Sequence, residues 1–311
     1  MANGCLWDIG RNIAFTNFQK ERWASMDISV YITSYNQKEF LREALDSVLA
    51  QTLLPFEIVV VDDASTDGSM ELIQEYHRQY PHLVKPHFNN RNLGITRCRN
   101  IALDLVKGDY VTALDGDDSY LPRKLEVQAQ LIRQTGAQLV FTNFFYAENH
   151  LDNIVGEWCG KDEILPNPSN LYMDVLARNF PKDTLFRNEL VKTDLMRSVG
   201  RYDESLIIYE DFDCRIRLAK NAQIAYSKEF LSIYRLHGQG LSRAPKQLHW
   251  ETLHQIYTKY EAELRGFSTK DQRFIQERQH QVLALFKTPS GPKNVSLFQK
   301  VRRKLKKILK R

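Results

Sequence analysis

Short apolar runs alternate with amphipathic segments along the first half of this chain. The runs are five to eight residues long, as is typical of buried strands, and the segments between them repeat apolar residues at helical spacing. This alternation predicts an α/β fold with a mainly parallel sheet and helices on both faces. The predicted strands are residues 28–34, 57–61, 83–88, 110–114 and 138–145.

A capping box is predicted at the start of the first helix. Asn36 and Glu39 have the required spacing, in which each side chain bonds to the backbone N–H of the other residue. The helix that follows places Leu41, Leu45 and Val48 on one face.

The second half of the chain alternates less regularly. Residues 151–182 contain three prolines and are predicted to form a long loop over the edge of the sheet. Glu210 and Asp211 stand immediately before a predicted helix, and residues 224–236 are predicted to form a strand. Residues 245–293 have helical spacing, and these helices either pack on the α/β domain or mediate contact with a second copy of the chain.

Composition places the chain among globular proteins. Of its 311 residues, 43% are hydrophobic, and no apolar run approaches the roughly 20 residues of a membrane-spanning helix. The N-terminal segment lacks the apolar stretch of a signal peptide, so the sequence predicts a cytoplasmic protein. The four cysteines show neither metal-ligand nor disulfide spacing and are predicted to be reduced.

Positive charge is concentrated at the C-terminus. The net charge is +5, yet residues 300–311 alone carry eight Lys or Arg and no acid. Residues 294–311 also repeat apolar positions at helical spacing, so they are predicted to form a basic amphipathic helix. Such a helix suits an anionic surface at the inner face of the cell membrane, and a solvated tail or a nucleic-acid contact are the alternatives. No platform of basic and aromatic residues elsewhere favours nucleic acid.

Three carboxylates follow the strand at 110–114. Asp115, Asp117 and Asp118 surround Gly116, which permits a sharp turn that aims the acids at one point. Clustered carboxylates repel one another unless a cation lies between them, and oxygen ligands suit Mg²⁺ or Mn²⁺. An acidic surface turn is the alternative interpretation.

Polar residues also follow two other predicted strands, at Thr33–Tyr35 and at Asp62–Asp63. Because ligands of parallel sheets bind beyond the carboxyl ends of the strands, these groups and the acidic turn are predicted to form one site. A phosphorylated ligand bridged to carboxylates by a metal fits this arrangement. The chain has no Gly-rich dinucleotide fingerprint and no P-loop, which disfavours hydride-transfer enzymes and P-loop NTPases.

In combination these motifs resemble the family 2 glycosyltransferases of GT-A fold, which is the nucleotide-diphospho-sugar transferase fold. Their order and spacing match over roughly residues 27–242. The segments that carry the resemblance are residues 30–36, 60–69, Asn92-Leu93-Gly94, Arg99-Asn100, residues 114–118 and Glu210-Asp211.

The resemblance implies an inverting enzyme of the kind that builds bacterial cell-surface polysaccharides. It covers a GT-A catalytic domain at 27–244 and does not extend to the extension at 1–26, to the helical region at 245–293 or to the basic tail at 294–311, which are predicted from the sequence pattern alone. Met26 is a candidate start of translation.

Nucleotide recognition is implied at the first two strand ends. Thr33, Tyr35 and Asp63 would hold the base, and Asp63 could accept from a uracil imide N–H, which favours a UDP-sugar as donor.

The rest of the donor is implied to lie against later motifs. Asn92, Arg99 and Asp115 would contact the donor, with Asp115 near the ribose, although a structural ion pair is the alternative for Arg99. Asp117 would bind Mn²⁺ or Mg²⁺, and His237, in an element that resembles the family's Tyr-Arg-x-His, would reach the metal or the diphosphate.

Catalysis is implied at the Glu-Asp pair. Asp211 matches the general base that takes the proton of an acceptor hydroxyl, and Glu210 lies beside it. The acceptor would be a glycan or a lipid-linked saccharide. Lys182 and Asp183 replace the small hydroxyl residues of many relatives and either shape an unusual acceptor site or form an exposed ion pair.

Three other functions are weighed against this one. A nucleotidyltransferase or nucleotide-sugar pyrophosphorylase needs a Gly-rich basic loop after the first strand, where residues 33–38 contain no glycine. A non-catalytic membrane-associated carbohydrate-binding module would have lost Asp117 or Asp211, and both are present. A polyprenyl-phosphate sugar synthase shares the catalytic domain, and the basic tail fits either kind of membrane-borne acceptor.

Overall fold

The computed structural model describes residues 26–168, 171–238 and 244–287. The predicted tail at 294–311 and the N-terminal extension up to residue 25 lie outside these ranges. The strands are β1 (Ile28–Ser34), β2 (Glu57–Asp62), β3 (Val84–Phe88), β4 (Tyr110–Asp115), β5 (Ser119–Tyr120), β6 (Leu139–Glu148), β7 (Ile154–Glu157), β8 (Leu190–Lys192) and β9 (Ile224–Leu236). The α-helices are α1 (Lys38–Leu49), α2 (Ser69–Gln79), α3 (Ile95–Leu105), α4 (Lys124–Thr135), α5 (Leu171–Ala177), α6 (Thr193–Ser198), α7 (Glu210–Asn221), α8 (Lys246–Lys259) and α9 (Thr269–Leu285).

The strands form one sheet with two distinct halves. Across the sheet the order is β3-β2-β1-β4-β8-β6-β9-β5, and β7 pairs with β6. The first four strands are parallel, as the strand–helix alternation predicts. The second half is mixed, because the short strand β8 runs antiparallel to both β4 and β6, while β6 and β9 are parallel to each other.

Helices cover both faces of the sheet, as predicted. Side chains of β1 alternate between the two cores, with Val30 and Ile32 on one face and Tyr31 on the other. Helices α1, α2 and α4 pack on the first face, and α3 and α5–α9 pack on the second. Burial on both faces explains why the central strands have continuous apolar runs.

The C-terminal helices pack back on the α/β domain. Leu253 and Ile256 of α8 and Ile275 of α9 are fully buried in the same core as α5 and α7. This packing accounts for the apolar positions that the helical spacing predicted. Within the described residues, no helix combines the length and apolarity that crossing a bilayer requires.

The predicted capping box is wrong. Helix α1 begins at Lys38 after Gln37, without a side-chain cap. Asn36 instead adopts a positive φ of 51°, and its Oδ1 accepts from the Thr66 backbone N–H at 2.8 Å. A tertiary bond to the turn after β2 therefore replaces the local one.

The described residues of the segment 151–182 form more regular structure than the predicted loop. They contain β7 and α5, and Trp158 is fully buried among aromatic rings, stacked on Phe144 at 5.2 Å between centroids. Its indole Nε1 donates to the Thr184 carbonyl at 2.7 Å. The prolines thus border a segment that forms part of the core.

Trp158→Ala is expected to lower the free energy of unfolding by about 3–5 kcal/mol, because it leaves a cavity in this aromatic cluster. Trp158→Phe, which keeps most of the ring contact and loses the bond to Thr184, should cost about 1–2 kcal/mol. Urea unfolding measures both values. Equal, small losses in the two variants would contradict a packed role for this segment.

The three cysteines within the described ranges are buried and unpaired, namely Cys98, Cys159 and Cys214. Burial raises the pKa of each thiol, so these residues are reduced and structural, as predicted.

Candidate active site

One cleft of about 1160 Å³ opens beyond the carboxyl ends of β1, β2 and β4. Its volume exceeds that of most sites for a single small ligand, which are about 300–1,000 Å³, so it has room for two substrates. The structure brings all ten predicted site residues to its walls: Thr33, Tyr35, Asp63, Asn92, Arg99, Asp115, Asp117, Glu210, Asp211 and His237.

The end of β1 offers unused hydroxyl groups to the cleft. Thr33 Oγ1 and Ser34 Oγ are buried, and neither has a hydrogen-bond partner within the described structure. Tyr35 is 46% exposed at the rim. Buried polar groups normally have partners, so these hydroxyls are suited to contact a ligand.

Asp63 organises the loop that precedes α3. Its carboxylate accepts from Asn89 Nδ2, Leu93 N and Gly94 N, each at 2.8 Å. Gly94 has a φ of 90°, which side chains rarely adopt. The Cys98 thiol also hydrogen-bonds to this carboxylate, so Asp63 ties the loop and α3 to the end of β2.

The acidic turn is built around Gly116. A Cβ at this position would lie 2.7 Å from Gln37 Oε1 and 3.0 Å from the Thr33 carbonyl oxygen, so only glycine fits without movement. Asp118 N donates to the Asp115 carbonyl at 3.0 Å and closes the turn. The turn therefore holds its three acids against the end of β1.

Arg99 joins the acidic turn to the start of α7. Its Nη2 donates to Asp115 Oδ1 at 2.8 Å, and its Nη1 lies 3.0 Å from Glu210 Oε1. Burial raises the pKa of Asp115, but Arg99 and Arg187 outweigh burial and hold that pKa below its usual value. Arg99 therefore forms a structural ion pair, which was the alternative to a donor contact in the interpretation of the sequence.

Glu210 has the opposite shift. Burial, helped by the nearby charge of Asp211 and opposed by Arg99, raises its pKa from 4.5 to about 7. The folded protein therefore keeps a proton on this carboxyl at pH values where the unfolded chain has lost it.

The unfolding free energy is therefore expected to fall as pH rises between about 4.5 and 7, because the folded state binds the extra proton in this window. Relative to Glu210→Gln, which lacks the group, the wild type should lose on the order of 2 kcal/mol between pH 5 and pH 8. Urea unfolding across this range measures the difference. Glu204→Gln, at an exposed ion pair with Arg97, is the control and should leave the pH slope unchanged.

Asp117 and His237 meet in the cleft, with 2.8 Å between Asp117 Oδ2 and His237 Nε2. Arg235 braces the acidic turn, since its Nε donates to the Asp117 carbonyl at 2.7 Å and its backbone N to Asp118 Oδ1 at 2.9 Å. The other carboxylate oxygen of Asp118 is buried and accepts no hydrogen bond from the described residues.

This group fits a divalent cation. Burial, helped by the charge of Asp117 and opposed by Arg187, raises the pKa of Asp118 well above its usual value, and a cation beside the turn would favour the ionised carboxylate. In the part of the chain that the structure describes, no three or more His, Cys, Asp or Glu side chains form a complete metal site. A carboxylate and an imidazole suit Mn²⁺ or Mg²⁺ when substrate phosphates and water supply the other ligands.

Asp211 lies in the first turn of α7, after Tyr209, whose φ of 63° is left-handed. Its Oδ2 accepts from Arg215 Nη1 at 2.6 Å, and its side chain is 26% exposed. Burial raises the pKa of Asp211, but Arg215, Arg99 and Arg187 lower it more. Asp211 is therefore ionised at neutral pH and open to the cleft.

Two arginines of the site were not predicted from the sequence. Arg187 Nη1 lies 3.8 Å from Asp115 Oδ2 and 3.7 Å from Asp118 Oδ2, and its guanidinium carbon lies 3.9 Å from the centroid of the Tyr234 ring. Arg215 links Asp211 to Glu189. The position of Arg215 four residues after Asp211 was a readable signal for an ion pair. Arg187 follows Phe186 in a pair that resembles one found in many relatives, but the sequence assigned it no role.

The fold is that of the GT-A glycosyltransferases. S. aureus TarS (residues 1–349) in complex with UDP-GlcNAc superposes with a TM-score of 0.59 at 21% identity, over 84% of this chain and 71% of that one. GalNAc-T7 with UDP, GalNAc and Mn²⁺ superposes with a TM-score of 0.56 at 18% identity, over 82% of this chain and 55% of that one.

The sequence matches the glycosyl transferase family 2 model over residues 29–187. It is 30% identical over 239 residues to an uncharacterized glycosyltransferase of Methanocaldococcus jannaschii, covering 74% of this chain and 77% of that protein. An uncharacterized protein of Mycobacterium tuberculosis is 31% identical over 237 residues, covering 72% of this chain and 64% of that protein. The chain therefore belongs to glycosyl transferase family 2, and the fold class and family predicted from the sequence are confirmed. It spans 64% of the mycobacterial relative and 43% of full-length TarS.

Proposed function

We propose that this chain is an inverting glycosyltransferase that moves a hexose or N-acetylhexosamine from a UDP-sugar to a hydroxyl of a glycan or lipid-linked saccharide. The observation that carries the proposal is the position of Asp211, an ionised carboxylate in the same cleft as the Asp117–His237 pair and the unused hydroxyls of β1.

Recognition of UDP is supported by the walls of the cleft. Asp63 lines the cleft, where its carboxylate is the candidate acceptor for the imide N–H of uracil, and Thr33 Oγ1 is buried with no hydrogen-bond partner among the described residues. The TarS and GalNAc-T7 structures that share this fold hold UDP or UDP-GlcNAc. Asn92 and Asp115 line the cleft between these groups and α7.

Asp117 and His237 are the residues that would hold Mn²⁺ or Mg²⁺. When bound, such a cation supplies charge neutralisation for the departing diphosphate. Arg235 keeps Asp117 in place through its bonds to the acidic turn.

Asp211 would take the acceptor's proton while the acceptor oxygen attacks the anomeric carbon. The bond between that carbon and the diphosphate oxygen breaks in the same displacement, which inverts the configuration. Arg215 orients the Asp211 carboxylate through Oδ2, and the pairs of Arg99 with Glu210 and Asp115 hold the start of α7 against the acidic turn.

Incubation with a panel of UDP-sugars and Mn²⁺, with release of UDP as the readout, tests the proposal. One UDP-sugar should be hydrolysed or transferred faster than the others, because hydroxyl contacts select the sugar. Turnover of only GDP- or dTDP-sugars would overturn the assignment of uracil to Asp63, and release of pyrophosphate would indicate a nucleotidyltransferase.

We also propose that residues 294–311 bind the inner face of the cell membrane, on the strength of their basic amphipathic pattern. The full chain should sediment with vesicles that contain phosphatidylglycerol and stay in solution with pure phosphatidylcholine. A chain ending at residue 293 should lose this sedimentation. Equal sedimentation of both chains would contradict the assignment. Light scattering of the full chain without vesicles would report any homo-oligomer.

A further inference from the structure

The end of the cleft beside the C-terminal helices has the opposite charge balance from the acidic turn. Its wall includes Arg178 and Lys182, together with apolar side chains of α9 such as Val282 and Leu285. None of the ten predicted site residues is hydrogen-bonded or ion-paired to either cation within the described structure.

Arg178 holds a positive charge that no described carboxylate balances. Its Nη2 donates to the backbone carbonyl of Asp183 at 2.9 Å, and its Nε and Nη1 are buried without a partner. The guanidinium lies 5.1 Å from the ring centroid of Tyr209 and 5.0 Å from that of Phe212. Tyr209 precedes α7 and Phe212 lies in its first turn, so Arg178 packs against the helix start that also carries Asp211.

The nearby carboxylate is already committed. Asp183 forms its ion pair with Arg278 of α9, which leaves Arg178 to the ring faces and the carbonyl. Lys182 likewise donates to the backbone carbonyls of Glu157 and Trp158, which carry no net charge. The exposed Lys182–Asp183 ion pair, one of the two interpretations of the sequence, therefore does not form.

An uncompensated guanidinium in a partly buried wall is costly unless an anion joins it. Arginine is also the side chain best suited to phosphate and carboxylate groups, since it offers several charged N–H donors in one plane. We infer that Arg178, assisted by Lys182, binds an anionic group of the acceptor saccharide, a phosphate or a carboxylate, in the same cleft as Asp211. This inference rests on the proposed function for the identity of the ligand as an acceptor.

Binding can be measured without turnover. The full chain, saturated with UDP and Mn²⁺, is titrated with glycerol 3-phosphate, glucuronate and glucose by ligand-observed NMR. The wild type should bind one or both anions more tightly than glucose. The anion that binds more tightly shows whether the site prefers a phosphate or a carboxylate. Arg178→Gln should weaken binding of that anion by roughly 10- to 100-fold, and Arg178→Lys should recover part of it.

Two further variants keep the test decisive. Lys182→Gln, at an exposed side chain, should weaken anion binding by a smaller factor and carries the test if Arg178→Gln does not fold. Arg42→Gln removes an arginine that lies 5.7 Å from a tyrosine ring outside the cleft and should change nothing. Equal binding of glucose and the anions, no anion binding in the millimolar range, or full anion affinity in both cleft variants would overturn the inference.

Failure of the proposed function gives a different result. In that case no UDP-sugar is turned over by the wild type, whereas anion binding that depends on Arg178 persists. If the inference alone is wrong, UDP-sugar turnover continues and Arg178→Gln has the same acceptor preference as the wild type.

Discussion

Asp211→Asn is expected to abolish sugar transfer, with a loss of at least roughly 100-fold in kcat, the usual contribution of a positioned general base. The amide is nearly isosteric with the carboxylate and sits at the same place in the first turn of α7, but it cannot accept the proton of the acceptor. Affinity for UDP should stay nearly unchanged, because Asp211 is paired with Arg215 and not with the groups around Asp63.

Asp194→Asn is the matched control for this variant. Asp194 also lies in the first turn of a helix, α6, and is exposed, so its substitution removes the same charge from an equivalent helix position outside the cleft. UDP release with the preferred donor measures kcat, and calorimetric titration measures UDP affinity. A fully active Asp211→Asn protein would exclude Asp211 as the base.

Asp117→Ala should weaken donor binding only when a divalent cation is present. Removal of the carboxylate leaves His237 as a lone ligand, and we expect roughly a 10- to 100-fold loss of UDP affinity in Mn²⁺. With the cation chelated, the variant and the wild type should bind UDP equally weakly. Comparing both proteins with and without the cation separates a metal ligand from a residue that only maintains the shape of the turn.

Asp104→Ala is the control for this second experiment. Asp104 is exposed at the end of α3, where it pairs with Arg201, and it lies outside the cleft. Its substitution should leave the Mn²⁺ titration unchanged. An Asp117→Ala titration that coincides with the wild-type curve would refute the metal role.

The sequence predicted best those elements in which apolar residues recur in a regular pattern. The strands β1, β2 and β4 and the polar residues at their ends were predictable, because parallel strands bury both faces and ligands bind beyond their carboxyl ends. The convergence of Thr33, Asp63 and Asp117 on one cleft followed from that topology.

The parts that the sequence did not predict depend on contacts between distant segments. β8 has three residues, too few to show a repeating pattern of apolar residues. Its position is set by backbone pairing with β4 and β6. Arg187 acquires its role only when its loop comes beside the acidic turn. Asn36 has the spacing of a cap, but a bond to Thr66 outweighs the local preference.

The loop anchored by Asp63 also bears on how such an enzyme could be redesigned. The Asp63 carboxylate is the proposed partner of the uracil ring, and it also accepts hydrogen bonds from three donors in residues 89–94. Random mutagenesis aimed at a new nucleotide would therefore rarely succeed at Asp63, because most replacements would release the loop before they altered selectivity. Thr33 and Tyr35, whose side chains hold no such loop, are the positions where a library should be placed.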